Sequence, residues 1–430
     1  MSSRLPVLTE SRWLRFGVFT SYYLLQGLPF GICFIGFPAW FTGQGVSKEL
    51  IASFSAISGL PWALKLIVGP LMDRYSFLPM GMRRPWIMGM QGMLLIVTSL
   101  LFFITDAVNQ FWWLVGLCTA MNVCAASEDV AVDGLAIAII PEEERGRANA
   151  FMGAGQMLGI SLTGMVAVKL LNFGGVPALA TFLFIVIMVL FIISTLIRER
   201  TGERFLPWSK GEANPEINVL DGSIYAILKD LLRTLLMPMS VLVILVTFVH
   251  RLHAGLYKVW APDISINLFG YTDANYATWS GITMMISAFV GLAFGPVVDK
   301  IGAPRAFKFC LLAIGIWYTS VYFSVDSIAN PKVAAAFILL DNSLLMLIFI
   351  AFIAMGMTLC RVRVASTQFA CYMAVANLGL SGGSAIYPIV SDFTGVRGVS
   401  LFLGALFILS WLAMFMFNLD RHKKDLAQLD

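Results

Sequence analysis

Apolar residues run along this chain in long unbroken stretches of about 20, separated by short polar segments rich in arginine, glycine and proline. At 1.5 Å of rise per residue, a helix of that length crosses the roughly 30 Å of hydrocarbon in a bilayer. About twelve such spans are predicted, near 14–41, 49–71, 85–105, 111–140, 145–171, 176–197, 238–268, 275–297, 306–325, 334–360, 363–391 and 398–419. The longest polar stretch, RERTGERFLPWSKGEANPEINVLDGS, follows the sixth span and leads into IYAILKDLLRTLL, whose apolar positions recur at helical spacing. It reads as a cytoplasmic linker ending in an amphipathic helix on the membrane surface. The expected organisation is therefore a six-span half over 1–197, a linker over 198–237 and a second six-span half over 238–430.

Composition agrees. Of 430 residues, 59% are hydrophobic and 13% charged, with a mean hydropathy of +0.83, values of an all-α polytopic membrane protein rather than a water-soluble globule. The first span begins after Trp13, exceeds a signal-peptide core in length and passes Gln26 and Pro29 without a small-residue cleavage site, so no cleaved signal is expected. All six cysteines (Cys33, Cys118, Cys124, Cys310, Cys360 and Cys371) fall within spans, without a CxxC. They read as small buried residues, and neither a disulfide, a metal site nor a cofactor is expected.

Lysine and arginine set the orientation. With the N-terminus, alternate loops and C-terminus in the cytoplasm, that side collects 22 of the 29 basic residues against 3 on the other, which predicts both termini inside. The +4 net charge is thus a topology signal, and no nucleic-acid partner is expected. The halves also echo one another. GPLMDRYSFLPMGMRRP (Gly69 to Pro85) follows the second span and GPVVDKIGAPR (Gly295 to Arg305) the eighth, an internal repeat of the kind transporters carry. Gly and Pro end the helix, while Asp73, Arg74, Arg84, Asp299 and Lys300 are placed to bond neighbouring helix ends as a gate. The helix-starting PEEERGR (Pro141 to Arg147) has acids suited to its dipole, and Arg145 or Arg147 is expected to reach Asp73 in the inward-closed state.

Charges inside the spans need partners or water, because each costs roughly 2.5–3.5 kcal/mol near the bilayer centre. The fourth span contains SEDVAVD, with Glu128, Asp129 and Asp133. Asp129 and Asp133, four apart, share one helix face, whereas Glu128 projects about 100° away. Lys65 precedes Asp73 by eight residues and Asp133 precedes Pro141 by eight, so both lie about 12 Å deep, and a Lys65–Asp133 ion pair is expected. Two carboxylates on one face cannot both ionise cheaply, so one is suited to hold and carry a proton. The rival expectation is that these acids only fix helix packing.

The seventh span carries HRLHAGLYKVWAPD, with Arg251 about 20 Å in from Pro238, where a guanidinium calls for an acidic partner or an anionic solute. Lys258 is expected to snorkel, and His250 and His253 to hydrogen-bond or protonate rather than bind metal. Uncharged polar groups for a solute come from Tyr22, Tyr23 and Gln26 beside Gly27-Leu28-Pro29, and from Gln368 and Asn377 beside Gly379, Gly382 and Gly383. For each of these, interhelical hydrogen bonding or close glycine packing is the competing role.

The two six-span halves, the positive-inside loops and the repeated GxxxD[RK] turn resemble the major facilitator superfamily over essentially the whole chain. Within it, QGLPFG (Gln26 to Gly31), GLPWALKLIVGPLMDRY (Gly59 to Tyr75), ASEDVAVDG (Ala126 to Gly134), EERG (Glu143 to Gly146) and STQFACYMAVANLG (Ser366 to Gly379) resemble the AmpG-type muropeptide permeases. Acetyl-CoA transporters and siderophore-uptake permeases share parts of this pattern. The resemblance implies a monomeric, proton-coupled importer in a bacterial inner membrane, meeting lipid, protons and a small polar solute, most simply an anhydro-muropeptide, with a siderophore or acetyl-CoA-like cargo as the alternative. It also implies a transport role for the acid pair on the fourth span, where Glu128 stands in place of the family's frequent Gln. No nucleophile–base pair or phosphate-cradling loop points to an enzyme.

Overall fold

The computed structural model describes residues 6–212, 224–271, 273–328, 331–361 and 364–427. The helices, in chain order, are α1 (Arg12–Gly31), α2 (Phe37–Gly43), α3 (Lys48–Leu64), α4 (Val68–Arg74), α5 (Arg84–Leu100), α6 (Phe111–Ile139), α7 (Arg145–Leu196), α8 (Ile224–Leu235), α9 (Pro238–Asn267), α10 (Asp273–Ile301), α11 (Ala303–Ile328), α12 (Pro331–Leu359), α13 (Ala365–Ala413) and α14 (Leu419–Ala427). Each predicted apolar run falls on helix. Among the described residues nine helices are long and apolar enough to cross a membrane. Two of the long ones hold a pair of spans each: α7 turns at Gly174 and Gly175, and α13 at Gly395. Gly175 and Gly395 have φ of +66° and +69°, a left-handed conformation that a side chain would resist. Helix α8 falls on the predicted linker helix; linker residues 213–223 lie outside the described residues.

Two interruptions matter for the site. A π-helical stretch, Ile32–Gly36, joins α1 to α2 just after Pro29. A 3-10 turn, Lys65–Ile67, joins α3 to α4 one turn after Pro61. Each proline lacks the N–H that would bond back four residues, which loosens the ladder locally.

The chain forms two compact units. The first comprises 1–140, 151–230 and 362–370. Here α1 and α7 meet at glycines: a Cβ on Gly27 would lie 2.5 Å from the Gln156 carbonyl, and one on Gly159 would lie 2.2 Å from that of Leu24. Such small-residue contact lets backbones approach where lipid gives no hydrophobic drive. Phe37, Phe41, Phe54 and Phe111 pack ring on ring in the apolar core. At the other end, Glu199 closes the start of α5. Its carboxylate accepts from the N–H groups of Met82 at 2.9 Å, Arg83 at 2.7 Å and Arg84 at 2.5 Å. These are the donors that a helix leaves unpaired, and a negative charge there suits the dipole.

The second unit comprises 141–150, 231–361 and 371–430. Its glycine contacts join α13 to α9: a Cβ on Gly379 would lie 2.6 Å from the Phe248 carbonyl, and one on Gly383 only 1.9 Å from that of Leu252, whereas Gly382 faces open space. For Gly379 and Gly383, close packing is therefore the role the structure shows.

Candidate functional site

Every residue of α6 from Cys124 to Ile137 is buried. The acids of SEDVAVD therefore face protein on all sides of the helix. Asp129 meets Lys65, Oδ2 to Nζ, at 2.6 Å. Asp133 accepts at Oδ1 from the Tyr23 hydroxyl at 2.5 Å. Glu128 accepts at Oε1 from Gln91 Nε2 at 2.6 Å, while its Oε2 has no hydrogen-bond partner.

The partner of Lys65 thus differs from the one expected at equal depth. Asp129 lies one turn before Asp133 on α6. Equal depth compares backbones, but the lysine stem reaches further than the 5.4 Å of one turn. Lys65 also begins a 3-10 turn, which stretches and rotates the chain relative to an α-helix. Lys65 still acts electrostatically on Asp133, so one lysine serves two carboxylates.

Around these acids the first unit places neutral groups. Gln26 is fully buried, and neither amide atom has a partner; such unmet donors and acceptors in a native interior call for a ligand or water. Tyr22 turns to Ser194 and Glu128 rather than to the aspartates, because adjacent residues on a helix point about 100° apart. Trp62 donates to Asn122 Oδ1 at 2.8 Å. The sequence marks Gln91, Trp62 and Asn122 only as polar residues inside apolar runs, a signal too common to place them at a site. Gln368 is buried in the segment that packs with this unit.

In the second unit, Arg251 of α9 is half-buried, and its Nε has no partner. Its charged neighbours are basic or protonatable, His250 and Lys258, and among the described residues no acid lies within ion-pair distance. Asn377 is half-buried on α13. His250 is buried with both ring nitrogens unmatched, and His253 Nε2 lies 2.8 Å from the Tyr318 hydroxyl.

The repeated turn performs the same operation twice. In the first unit Asp73 pairs with Arg83 and accepts from Thr367 at its N–H, 2.9 Å, and hydroxyl, 2.5 Å. In the second, Asp299 accepts from the Gly146 N–H at 2.6 Å and pairs with Arg147 Nε at 2.5 Å. Each aspartate caps the start of another helix while holding an arginine. The glycine four residues earlier makes room: a Cβ on Gly69 would lie 2.8 Å from Thr367 Cα, and one on Gly295 would lie 2.8 Å from Arg147 Cα.

Several predicted gate residues act otherwise. Arg83, not Arg84, meets Asp73; Arg84 instead donates to the Thr195, Arg204 and Phe205 carbonyls. Arg147 meets Asp299, and Arg145 lies 4.0 Å from Glu142 on its own turn. Arg74 lies over the Tyr75 ring, and Lys300 is exposed.

Residues 19–383 match the family model of the Major Facilitator Superfamily. The chain is 25% identical over 393 residues to the anhydromuropeptide permease of Escherichia coli K12, covering 88% of this chain and 74% of that protein. It is 24% identical over 408 residues to a putative transporter, AmpG 4, of Rickettsia felis, covering 90% and 94%. Among solved structures, it superimposes on the transporter FucP in its outward conformation with a TM-score of 0.71 at 9% identity, covering 94% of this chain and 98% of that one. The proton:xylose symporter XylE gives 0.69 at 15%, covering 94% and 95%. The chain belongs to the Major Facilitator Superfamily: it is a multi-pass membrane transporter of small molecules, and not an enzyme.

Proposed function

We propose that the protein is a proton-coupled importer of an anionic, polar organic solute, and that this solute is an anhydro-muropeptide. One observation carries the coupling: three buried carboxylates, Glu128, Asp129 and Asp133, share one helix, with Lys65 as the ion-pair partner of Asp129. Three ionised carboxylates beside one lysine leave uncompensated negative charge in a low-dielectric interior, so at least one binds a proton. Neutralising Asp129 or Asp133 frees Lys65 for the other acid or for the solute, which links proton binding to rearrangement. Gln26, with both amide atoms unmatched, and Lys65 are assigned to the solute in the first unit; Arg251 and Asn377 are assigned to it in the second. Tyr22 and Gln368 support those groups. The caps at Asp73 and Asp299 act as gates, held in one state of the cycle and released in the other.

The muropeptide reading rests on the likeness to the E. coli permease, and the free guanidinium nitrogen of Arg251 suits a solute bearing carboxylates. The membrane is then a bacterial inner membrane, with both termini cytoplasmic. Uptake of an anhydro-muropeptide into proteoliposomes tests this. An imposed inward proton gradient should drive accumulation, and Asp129→Asn with Asp133→Asn should abolish it while leaving solute binding measurable. Gradient-driven accumulation that survives both substitutions would sink the coupling assignment; uptake of a ferric siderophore but no muropeptide would sink the cargo.

A further inference from the structure

A further buried acid lies in the second unit, apart from every residue assigned above. Asp341 interrupts the apolar run FILLDNSLLM of α12, about 15 Å in from Pro331, and is 1% exposed. Trp317 Nε1 donates to its Oδ1 at 3.3 Å. The hydroxyls of Tyr257 and Tyr318 also face the carboxyl. Its Oδ2 has no hydrogen-bond partner. Beyond Tyr318, the hydroxyl lies 2.8 Å from His253 Nε2. Rings close the cluster: Trp317 stacks on Phe337 with centroids 5.6 Å apart, and His253 meets Phe407 edge-on at 4.6 Å.

The charge balance of this pocket is unusual. Among the described residues no cation lies within ion-pair distance of Asp341. The titratable groups facing it are Tyr257 from α9 and Tyr318 from α11, with His253 of α9 behind Tyr318; α10 presents the uncharged Thr283 and Ser287 to α12. An ionised carboxylate ringed by aromatic carbon, with only neutral donors, is costly in a membrane interior. A neutral acid removes that cost, and its hydroxyl proton is served by the free Oδ2.

We infer that Asp341 is a second proton-binding site of this transporter, held among the neutral groups of Trp317, Tyr257 and Tyr318. Binding adds one proton to a carboxylate oxygen, and release removes that same proton. No electrons are transferred and no bond other than O–H changes. The site is independent of the acids on α6.

Infrared titration of the detergent-solubilised full chain tests this without any solute, reading the carbonyl stretch of protonated carboxyl groups. The comparison begins from a Glu128→Gln, Asp129→Asn, Asp133→Asn background, which removes the first cluster. That background should retain a carboxyl band that fades as pH is raised, and adding Asp341→Asn should remove it. Tyr318→Phe, which keeps the ring but deletes the hydroxyl, should shift the band in frequency without removing it. If the multiple variant does not fold, the same subtraction is made between the native chain and Asp341→Asn alone. A titration unchanged by Asp341→Asn would overturn the proposal, as would an Asp341 band that never responds to pH. Neither result bears on gradient-driven uptake through the first cluster.

Discussion

Truncating Lys65 and Asp129 singly and together separates the structural from the functional part of the α6 cluster. The two side chains are 4% and 7% exposed and meet at 2.6 Å. At an effective dielectric of about 20, that separation corresponds to an attraction of roughly 6 kcal/mol. Desolvation of both charges offsets most of it, so the informative quantity is the asymmetry between single and double changes. Removing one partner of a buried pair typically costs about 3–5 kcal/mol, whereas replacing both with apolar residues is often neutral or stabilising. Here the singles should fall at or below the lower end. Lys65→Met leaves Asp129 able to take a proton, and Asp129→Leu leaves Lys65 within the field of Asp133. We expect each single change to cost about 2–3 kcal/mol, and the double change to recover about 2 kcal/mol of the summed loss. Equilibrium unfolding in mixed micelles reads these values, and proteoliposome uptake is followed in parallel. Stability should return in the double variant while transport does not. Additive single costs, with coupling below about 0.5 kcal/mol, would refute the ion pair; restored uptake in the double variant would refute its part in transport.

Two further outcomes follow from contacts elsewhere. Gly383→Ala should destabilise the second unit markedly, by roughly 2–4 kcal/mol as overpacked contacts do at their worst, because its Cβ would lie 1.9 Å from a carbonyl oxygen. Gly382→Ala, facing open space, should be near neutral, and equal thermal shifts for the two would contradict the α9–α13 packing. Outside the membrane, burial and then the nearby Glu199 push the Glu203 carboxyl up from 4.5 to about 7. A raised carboxyl means that the folded chain binds more protons between those values than the unfolded chain. Its stabilising contribution is therefore complete below pH 4.5 and lost as pH rises through about 7. The loss is on the order of 1–3 kcal/mol. Glu203→Gln should flatten this dependence in thermal unfolding curves taken across that window, and a slope identical to the native chain would argue against it.

The fold was legible in sequence because spans are defined by the one property a sequence states directly, the length of an apolar run. The site was half legible. An acid in such a run announces itself, and Glu128, Asp129 and Asp133 could be found without coordinates. Their partners could not, since a neighbour one residue away in sequence points about 100° away in space. Tyr23 rather than Tyr22 therefore reaches Asp133, and Arg83 rather than Arg84 reaches Asp73. Equal depth along ideal helices puts the partner of Lys65 one turn off, because the 3-10 turn at Lys65 departs from that geometry. Asp341 carries the same signal as the α6 acids, but its partners on α9 and α11 share no pattern with it in the chain.

The cap on α5 has a consequence for how the protein is made. The third membrane segment begins with N–H groups that are satisfied by Glu199, 117 residues further on from Met82. At ribosomal speeds of about 5–20 residues per second, that carboxylate is synthesised roughly 6–23 seconds after the helix it closes. Through that interval the segment is already apolar enough to enter the bilayer, but its first turn stays hydrated at the surface. Insertion and completion are therefore separate events in biosynthesis, and the third segment becomes fixed only when the sixth has followed it into the membrane.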